Sequence, residues 1–452
     1  MITIPPKGKR AEEILAAMSR LREHDANWQE GRTWSLVYHA NDKVTEIVKE
    51  AYAMFFSENY LDPGAFPSLR KLEAEVLAMT ASLLGGDNET VGNMTSGGTE
   101  SILLAVKAAR EWARLANRAD MAPEMILPAT AHPAFQKAAR FLSVKPVYIP
   151  VGSDFRADVA AASAAITPNT VLMVGSAPTY PHGVTDPITE LAHVAQENEI
   201  LFHVDACVGG FLLPFVRKLG HTVPDFDLSV PGVTSISADL HKYAYSAKGA
   251  SIILYRNKAL RRHQFTVYAD WPGGIFASPT MMGTKPGGPI AAAWAIMNYL
   301  GDEGYLAIAD AVMNTTQKLR DGINTIEGIN VLGNPVMSII AFGSDTLNIY
   351  AVGDEMAHNE WYLSRQQEPP SLHLTVTQVH AQIVDQFLDD LGKAVTKVKG
   401  SGSATPANIP AAMYGMTGSL SNEIDLEELA LVSLDQMTCL EGESGAEAQN
   451  AR

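Results

Sequence analysis

The sequence predicts an α/β protein: a large domain built on a mainly parallel sheet, followed by a smaller C-terminal α+β domain. Three observations carry this. Short apolar runs recur along the middle of the chain: EMILPA, PVYIPV, TVLMVGSAP, ILFHVDA, TSISAD and ASIILYR. Amphipathic stretches such as AFQKAARFL and ITELAHVAQENE lie between several of them. That alternation covers both faces of a parallel sheet with helices. After GGPIAAAWAIMNYLG the pattern changes to a long helical stretch followed by GINVLGN, SIIAFGS, LNIYAVG and SLHLTVT.

Residues 1–57 read as a helical, partly irregular arm. AEEILAAMSRLREH carries apolar residues at helical spacing. Asn41 suits an N-cap for the next helix, and Asp42 in its first turn complements the helix dipole. The prolines and glycine of YLDPGAFPS mark a loop before the amphipathic SLRKLEAEVLAMTASLL. The large domain then spans 58–302, where the glycine-rich turn TSGGTES opens the helix SILLAVKAAREWARLA. The small domain spans 303–440, with a first helix over about 303–326 and a last one in VHAQIVDQFLDDLGKAVTKV. The tail 441–452, EGESGAEAQNAR, has the composition of a disordered segment.

The bulk numbers exclude several function classes. The chain has 452 residues, 46% of them hydrophobic and 19% charged, which is ordinary for a soluble globular protein. A formal net charge of −16 argues against nucleic acid or an anionic membrane as the main partner. Two cysteines, Cys207 and Cys439, give no disulfide framework. No run of about 18 uninterrupted apolar residues occurs, so no membrane span is expected. The N-terminus lacks the apolar run of a signal peptide, and a cytoplasmic location is the expectation.

Four features carry chemistry. TSGGTES places Gly98 and Thr99 at a helix N-terminus, where backbone N–H groups and the helix dipole favour an anion. No Lys-Ser/Thr follows the glycines, so it is not a Walker motif. Asp205 ends an apolar strand, where α/β sheets bind ligands; alone it could bind a metal, cap a helix or hold a cofactor. His132 lies in a loop between a strand and a helix. In SISADLHKYAYSAKG, His241 and Lys242 interrupt two strands, with Asp239 just before and Lys248 just after. A lysine past a strand end is usually a solvated charge, but in a buried position it can form a Schiff base. Together, in chain order, these supply what pyridoxal phosphate needs: a phosphate cradle, a flat group over the ring, an acid for the pyridine nitrogen and an imine-forming lysine.

Long stretches carry a family resemblance: FPSLRKLEAEV, TSGGTESILLAVKAAR, PHGVTDPI, HVDACVGGFLLPF, GVTSISADLHKYAYSAKGASIILY, DWPGGIFASPTMMGTKPGGPIAAAWA, GNPVMSIIAFGS and the late MYGM. Over roughly residues 30–420 the chain resembles the group II pyridoxal-phosphate-dependent decarboxylase superfamily, and within it the sphingosine-1-phosphate lyases. The resemblance implies the type I, aspartate aminotransferase-like fold of PLP-dependent transferases, pyridoxal 5'-phosphate as cofactor, and a homodimer with a shared active site. By the same resemblance Lys242 is the Schiff-base lysine, His132 stacks on the cofactor ring and Asp205 pairs with the ring nitrogen. Gly98 and Thr99 hold the cofactor phosphate, with Ser237 and His241 nearby. Thr284, in the loop Gly283-Thr284-Lys285-Pro286-Gly287-Gly288, completes that phosphate site in a second subunit. Tyr38, Asn59, Tyr180 and Lys248 match positions lining the substrate pocket, and Lys248 and Tyr180 are candidates for proton transfer.

The implied reaction is a retro-aldol cleavage of a phosphorylated sphingoid base to a long-chain aldehyde and ethanolamine phosphate. One residue departs from the family pattern. Asp62 stands where the family carries a histidine that helps bind the substrate phosphate. A carboxylate facing a phosphate at about 4 Å costs on the order of one to a few kcal/mol per charge pair. Asp62 then either points away or marks a different substrate, and a PLP-dependent amino-acid decarboxylase on the same scaffold is the alternative.

Overall fold

The computed structural model describes residues 3–115, 122–400, 431–432 and 434–435. The tail 441–452 and the MYGM stretch lie outside the described residues. The seven strands of the large sheet are β1 (Val91–Thr95), β2 (Glu124–Pro128), β3 (Lys145–Ile149), β4 (Thr170–Ser176), β5 (Leu201–Asp205), β6 (Ser235–Ala238) and β7 (Ser251–Tyr255). Their spatial order is β1-β7-β6-β5-β4-β2-β3. All pairings are parallel except the two made by β7, which runs antiparallel to both β1 and β6. β1 therefore points the same way as β6, and the C-terminal ends of β1, β2, β4, β5 and β6 share one edge of the sheet. Strands β2, β4, β6 and β7 are buried along their whole length, as expected for strands covered on both faces.

An arm of two helices, α1 (Ala11–Leu21) and α2 (Asp42–Met54), leads into α3 (Pro67–Leu83). The Asn41 side chain caps α2, accepting from Val44 N–H at 3.1 Å. Helices α4 (Gly98–Leu115), α5 (Ala134–Leu142), α6 (Val159–Ala164), α7 (Ile188–Glu197), α8 (Leu213–Lys218) and α9 (Lys258–Arg261) connect the strands or follow them. β8 (Thr266–Tyr268) and β9 (Phe276–Ser278) form a separate antiparallel pair. The long α10 (Gly287–Thr325) bends at Gly301, whose φ of 56° is left-handed and suits a residue without a Cβ. The small domain follows: β10 (Asn330–Val331), β11 (Ile339–Gly343), α11 (Ile349–His358), β12 (Ser364–Gln367), β13 (Pro370–Thr375) and α12 (Val384–Gly400). Its sheet runs β10-β11-β13-β12 and is antiparallel throughout. The helix expected at about 303–326 is thus the second half of α10, and the bend lies beside the expected domain boundary.

Several contacts fix the arm to the small domain: Trp34 backbone N–H donates to Tyr362 O, Thr375 N–H donates to Trp34 O, and His380 joins them. His380 stacks on the fully buried Trp34, with ring centroids 4.1 Å apart. Thr377 N–H donates to its Nδ1 at 2.8 Å, so the neutral ring carries its proton on Nε2 and donates to Thr33 O at 3.1 Å. Among the described residues, no helix is long and apolar enough to cross a membrane.

Candidate active site

The shared sheet edge gathers the chemistry. β1 ends at Thr95 and turns through Ser96 and Gly97 into α4. Hydroxyls tie this turn to the sheet: Thr95 Oγ1 lies 2.7 Å from Ser101 Oγ, which lies 2.9 Å from Ser251 Oγ. The first-turn acid, Glu100, is buried, and its oxygens are occupied. Oε2 accepts from Ser96 N–H and O–H at 2.6 and 2.7 Å, and Oε1 accepts from Met281 N–H at 2.8 Å. Glu100 therefore ties the segment before Thr284 to the start of α4.

Lys242 follows β6 and reaches back. Its Nζ lies 2.9 Å from Asp239 Oδ2 across one helical spacing, and His241 Nε2 lies 3.6 Å from the same oxygen. Asp239 is buried, and its Oδ1 bonds no protein atom. Burial pushes the Asp239 carboxyl up, but the Lys242 and His241 charges outweigh it and hold it below its ordinary value. Burial likewise works against a charged Lys242, and Asp239 with Tyr38 more than reverses it, so the ammonium is held well above its ordinary value. Tyr243, the next residue, clamps this loop to the small domain by donating its O–H to Val376 O and accepting from the Ser338 hydroxyl.

Asp205 ends β5, opposite Ser237 of β6 in register. Its Oδ1 accepts from Cys207 N–H at 3.0 Å and from Ser237 O–H at 3.5 Å. His132, in the loop between β2 and α5, accepts at Nδ1 from Ala134 N–H at 3.1 Å. Burial lowers its pKa, the nearby charges partly cancelling, so the ring is neutral with its proton on Nε2. It meets Tyr180 edge-on, with centroids 6.5 Å apart.

Gly98 shows what the turn is shaped for. A Cβ placed on Gly98 would lie 2.8 Å from both Asp239 Oδ2 and Cys207 Sγ, and one on Gly97 would lie 3.6 Å from the His241 ring. The α4 N-terminus, His241, Asp239 and the Asp205 segment therefore converge on one point. A free helix N-terminus beside a histidine and a buried lysine, with a carboxylate one strand over, fits an anionic ring cofactor that carries a phosphate.

Comparison with known proteins agrees. The family described as "Pyridoxal-dependent decarboxylase conserved domain" matches residues 5–344. The sphingosine-1-phosphate lyase of Oryza sativa subsp. japonica is 43% identical over 436 residues, covering 94% of this chain and 80% of that protein. Sphingosine-1-phosphate lyase 1 of Rattus norvegicus is 41% identical, covering 96% and 77%.

The chain belongs to the sphingosine-1-phosphate lyase branch of the pyridoxal-dependent decarboxylases.

The structures agree with this membership. The sphingosine-1-phosphate lyase of Burkholderia pseudomallei superposes with a TM-score of 0.89 at 35% identity, covering 97% of this chain and 98% of that one. A Lactobacillus brevis glutamate decarboxylase shares the fold, with a TM-score of 0.78 at 16% identity, covering 90% and 96%. Membership brings pyridoxal 5'-phosphate as the cofactor, and the Gly98 cradle fits it. Gly98→Ala is expected to loosen the cofactor, because the new methyl meets a buried carboxylate and a thiol. The cofactor absorbance left after desalting measures this, and full retention would contradict the cradle.

The remaining family positions are placed as follows. Thr99 is exposed in the first turn of α4. Ser237, expected beside the phosphate, is fully buried, and its hydroxyl bonds instead with His203, Cys207 and Asp205. Lys248 is exposed along part of its length, yet its Nζ donates to Leu36 O at 2.8 Å and sits 5.2 Å above the Tyr38 ring. Burial, then Lys242, pulls its pKa down to about 8. Burial pushes the Tyr38 hydroxyl far up, and its ring meets Tyr243 edge-on at 5.0 Å.

Asn59 and Asp62 hold the chain rather than open into a cavity. Asn59 Oδ1 accepts from Leu61 N–H at 3.0 Å and Lys285 N–H at 3.1 Å, which fixes it to the 283–288 loop. Asp62 is exposed, and its Oδ1 accepts from Gly64 N–H at 2.8 Å and Ala65 N–H at 3.3 Å. The neighbouring Lys285 bonds the buried Glu73 at 2.6 Å. Thr284 is exposed. Sequence reasoning gave no role to Asp239, Glu73, Glu100 or His203. For Asp239 the signal was present: an acid three residues before a lysine shares its face of a helical turn.

Proposed function

We propose that the protein is a carbon–carbon lyase that cleaves a phosphorylated sphingoid base to a long-chain aldehyde and ethanolamine phosphate. The carrying observation is the Lys242–Asp239 pair at 2.9 Å facing the Gly98 cradle, on a chain about 40% identical to sphingosine-1-phosphate lyases. When bound, pyridoxal phosphate supplies the electron sink for the pair left when a bond to the amine-bearing carbon breaks. Lys242 would be the amine that holds it covalently, Asp205 would pair with its ring nitrogen, and His132, as a neutral imidazole, would cover its ring. Gly98, Thr99 and His241 receive its phosphate. The cradle would hold the cofactor's phosphate, and that anchoring would decide which substrate bond is aligned for cleavage.

Lys248 takes the proton from the substrate hydroxyl in this reading. A lysine with its pKa near 8 is partly neutral at working pH and matched to that task. The neutral form is the active one, so kcat/KM rises as pH passes upward through about 8. Lys248→Met is expected to remove this limb and to lower kcat/KM by about 100-fold. A limb that persists in the variant assigns the proton to another group.

Asp62 favours the lyase reading over the amino-acid decarboxylase. Its carboxylate is turned into its own loop, bonded to two backbone N–H groups, and does not need a different substrate to explain it. The glutamate decarboxylase likeness, at 16% identity, extends to the fold alone.

The working unit in this reading is a homodimer. Helix α1 buries no residue against its own chain, with Ile14, Leu15, Met18 and Leu21 exposed. The β8–β9 hairpin exposes Val267, Tyr268, Trp271 and Ile275. Both surfaces suit a second copy, whose Thr284 would reach the first copy's phosphate cradle. Incubation with sphingosine-1-phosphate and with a panel of amino acids, reading aldehyde and carbon dioxide together, tests the function. Carbon dioxide without aldehyde would overturn it.

A further inference from the structure

One buried histidine next to the site is not used by the reaction as described. His203 lies on β5 two residues before Asp205, on the same face of the strand, and is fully buried. Ser235 and Ser237 lie opposite His203 and Asp205 in the β5–β6 register. His203 Nδ1 is 2.8 Å from Ser235 Oγ, and Nε2 is 3.2 Å from Ser237 Oγ. Ser237 Oγ is in turn 3.5 Å from Asp205 Oδ1 and 3.3 Å from Cys207 Sγ.

The direction of these bonds follows from the carboxylate. An ionised carboxylate only accepts, so Ser237 donates its single O–H to Asp205 Oδ1. Ser237 Oγ must then accept from His203, which puts the imidazole proton on Nε2. Nδ1 is left as an acceptor and takes the O–H of Ser235. Burial keeps the ring neutral, lowering its pKa to about 4, which this pattern requires. The Cys207 thiol, pushed well up by burial, keeps its proton and donates to the second lone pair of Ser237. Every donor along the ladder points towards Asp205. Oδ1 takes both hydrogen bonds made to the Asp205 carboxylate among the described residues, and Oδ2 is the oxygen left for another partner.

We propose that His203 is a positioning residue for Asp205: acting through Ser237 it holds Oδ1 and so presents Oδ2 to the cofactor ring nitrogen. This rests on the reading that Asp205 pairs with that nitrogen. The His203 Nε2–H fixes the direction of the Ser237 hydroxyl. A Ser237 freed of that donor can turn its O–H elsewhere and leave Asp205 with one bond instead of two.

The test uses the full-length protein, stripped of cofactor and titrated with pyridoxal phosphate. Its readouts are the dissociation constant and the position and pH dependence of the visible absorbance band. Asp205→Ala is expected to weaken binding strongly and shift the band. His203→Leu is expected to weaken binding by about tenfold, the equivalent of one hydrogen bond, and to shift the band in the same direction. His203→Gln, whose side-chain amide can donate to Ser237, is expected to stay within about threefold of the parent. Ser237→Ala should match His203→Leu, and combining the two should add nothing further, since they act in one chain. It also removes fewer atoms, so it serves where His203→Leu folds poorly. A parent-like dissociation constant and band in both His203→Leu and Ser237→Ala overturn the proposal. So does a His203→Gln as impaired as His203→Leu, which would make the role one of packing. A parent-like Asp205→Ala instead overturns the underlying reading of Asp205.

Discussion

Replacing Lys242 with alanine is expected to abolish turnover and to destabilise the cofactor-free protein in the same step. The first effect follows from losing the amine that bonds the cofactor. The second follows from Asp239. Its carboxylate is buried, and Lys242 Nζ at 2.9 Å is its nearest cation. Removing one partner of a buried pair leaves an uncompensated charge, at a cost of about 3–5 kcal/mol. His241 at 3.6 Å is a weak substitute, because burial favours its neutral form. The double variant Lys242→Ala/Asp239→Asn separates the two effects: its thermal midpoint should recover while turnover stays lost. Borohydride treatment should fix cofactor to the parent at Lys242 and to neither variant. Turnover within tenfold of the parent would remove Lys242 from the reaction, and an unchanged midpoint in Lys242→Ala would remove Asp239 as its partner.

Stability is expected to fall steeply as pH drops from about 6.5 towards 4. Burial holds His182, His203, His373 and His380 each at a pKa of about 4. In the unfolded chain a histidine titrates near 6.5. Between those values the unfolded state binds more protons, so the histidines' contribution is fully present above about 6.5 and is lost on the way down. For His203, His373 and His380 the upper bound is about 3 kcal/mol each. Asp186 works the other way. Burial raises its pKa to about 6, so it costs stability at higher pH and returns it as pH falls. One carboxyl does not offset four imidazoles. The urea midpoint measured at several pH values checks this. His182 offers a clean variant: neither ring nitrogen bonds a protein atom, and the ring stacks on Phe155 at 4.0 Å. His182→Phe should make the acid loss shallower at little cost near pH 7.5. A midpoint that stays flat from pH 7 to 5 would contradict the assignment.

The local patterns that place the cofactor were legible because they depend on residues near one another. The strand ending at Asp205, the glycine turn at Gly98 and the lysine after β6 each declare themselves within a few positions. Their meeting at one cofactor was inferred from the joint chemistry and the family resemblance; the geometry that brings them together was not legible, because it depends on strand order. Nothing in the chain announces that β7 lies between β1 and β6 and so brings the α4 turn to the Lys242 loop. Ser237 illustrates the limit. Its place near the phosphate came from the family resemblance alone, while the β5–β6 register puts its hydroxyl beside Asp205. Asp62 is the converse. Its identity suggested repulsion, and the turn it caps was visible in the Asp-Pro-Gly spacing.

The His380–Trp34 stack also constrains how the chain comes to be made. Thr33 and His380 are 347 positions apart, and the Leu36–Lys248 contact spans 212, more than the roughly 100–150 residues of a typical domain. During synthesis the arm emerges before its dock, which is completed only when β13 and the residues after it have left the ribosome. Trp34, fully buried in the finished protein, is exposed for most of that time. Closing so large a loop is slow, because the ordering is required before the contact rewards it. The nascent chain therefore holds an unprotected indole until the residues around His380 emerge, a period in which a chaperone that shields apolar segments would raise the yield of active protein.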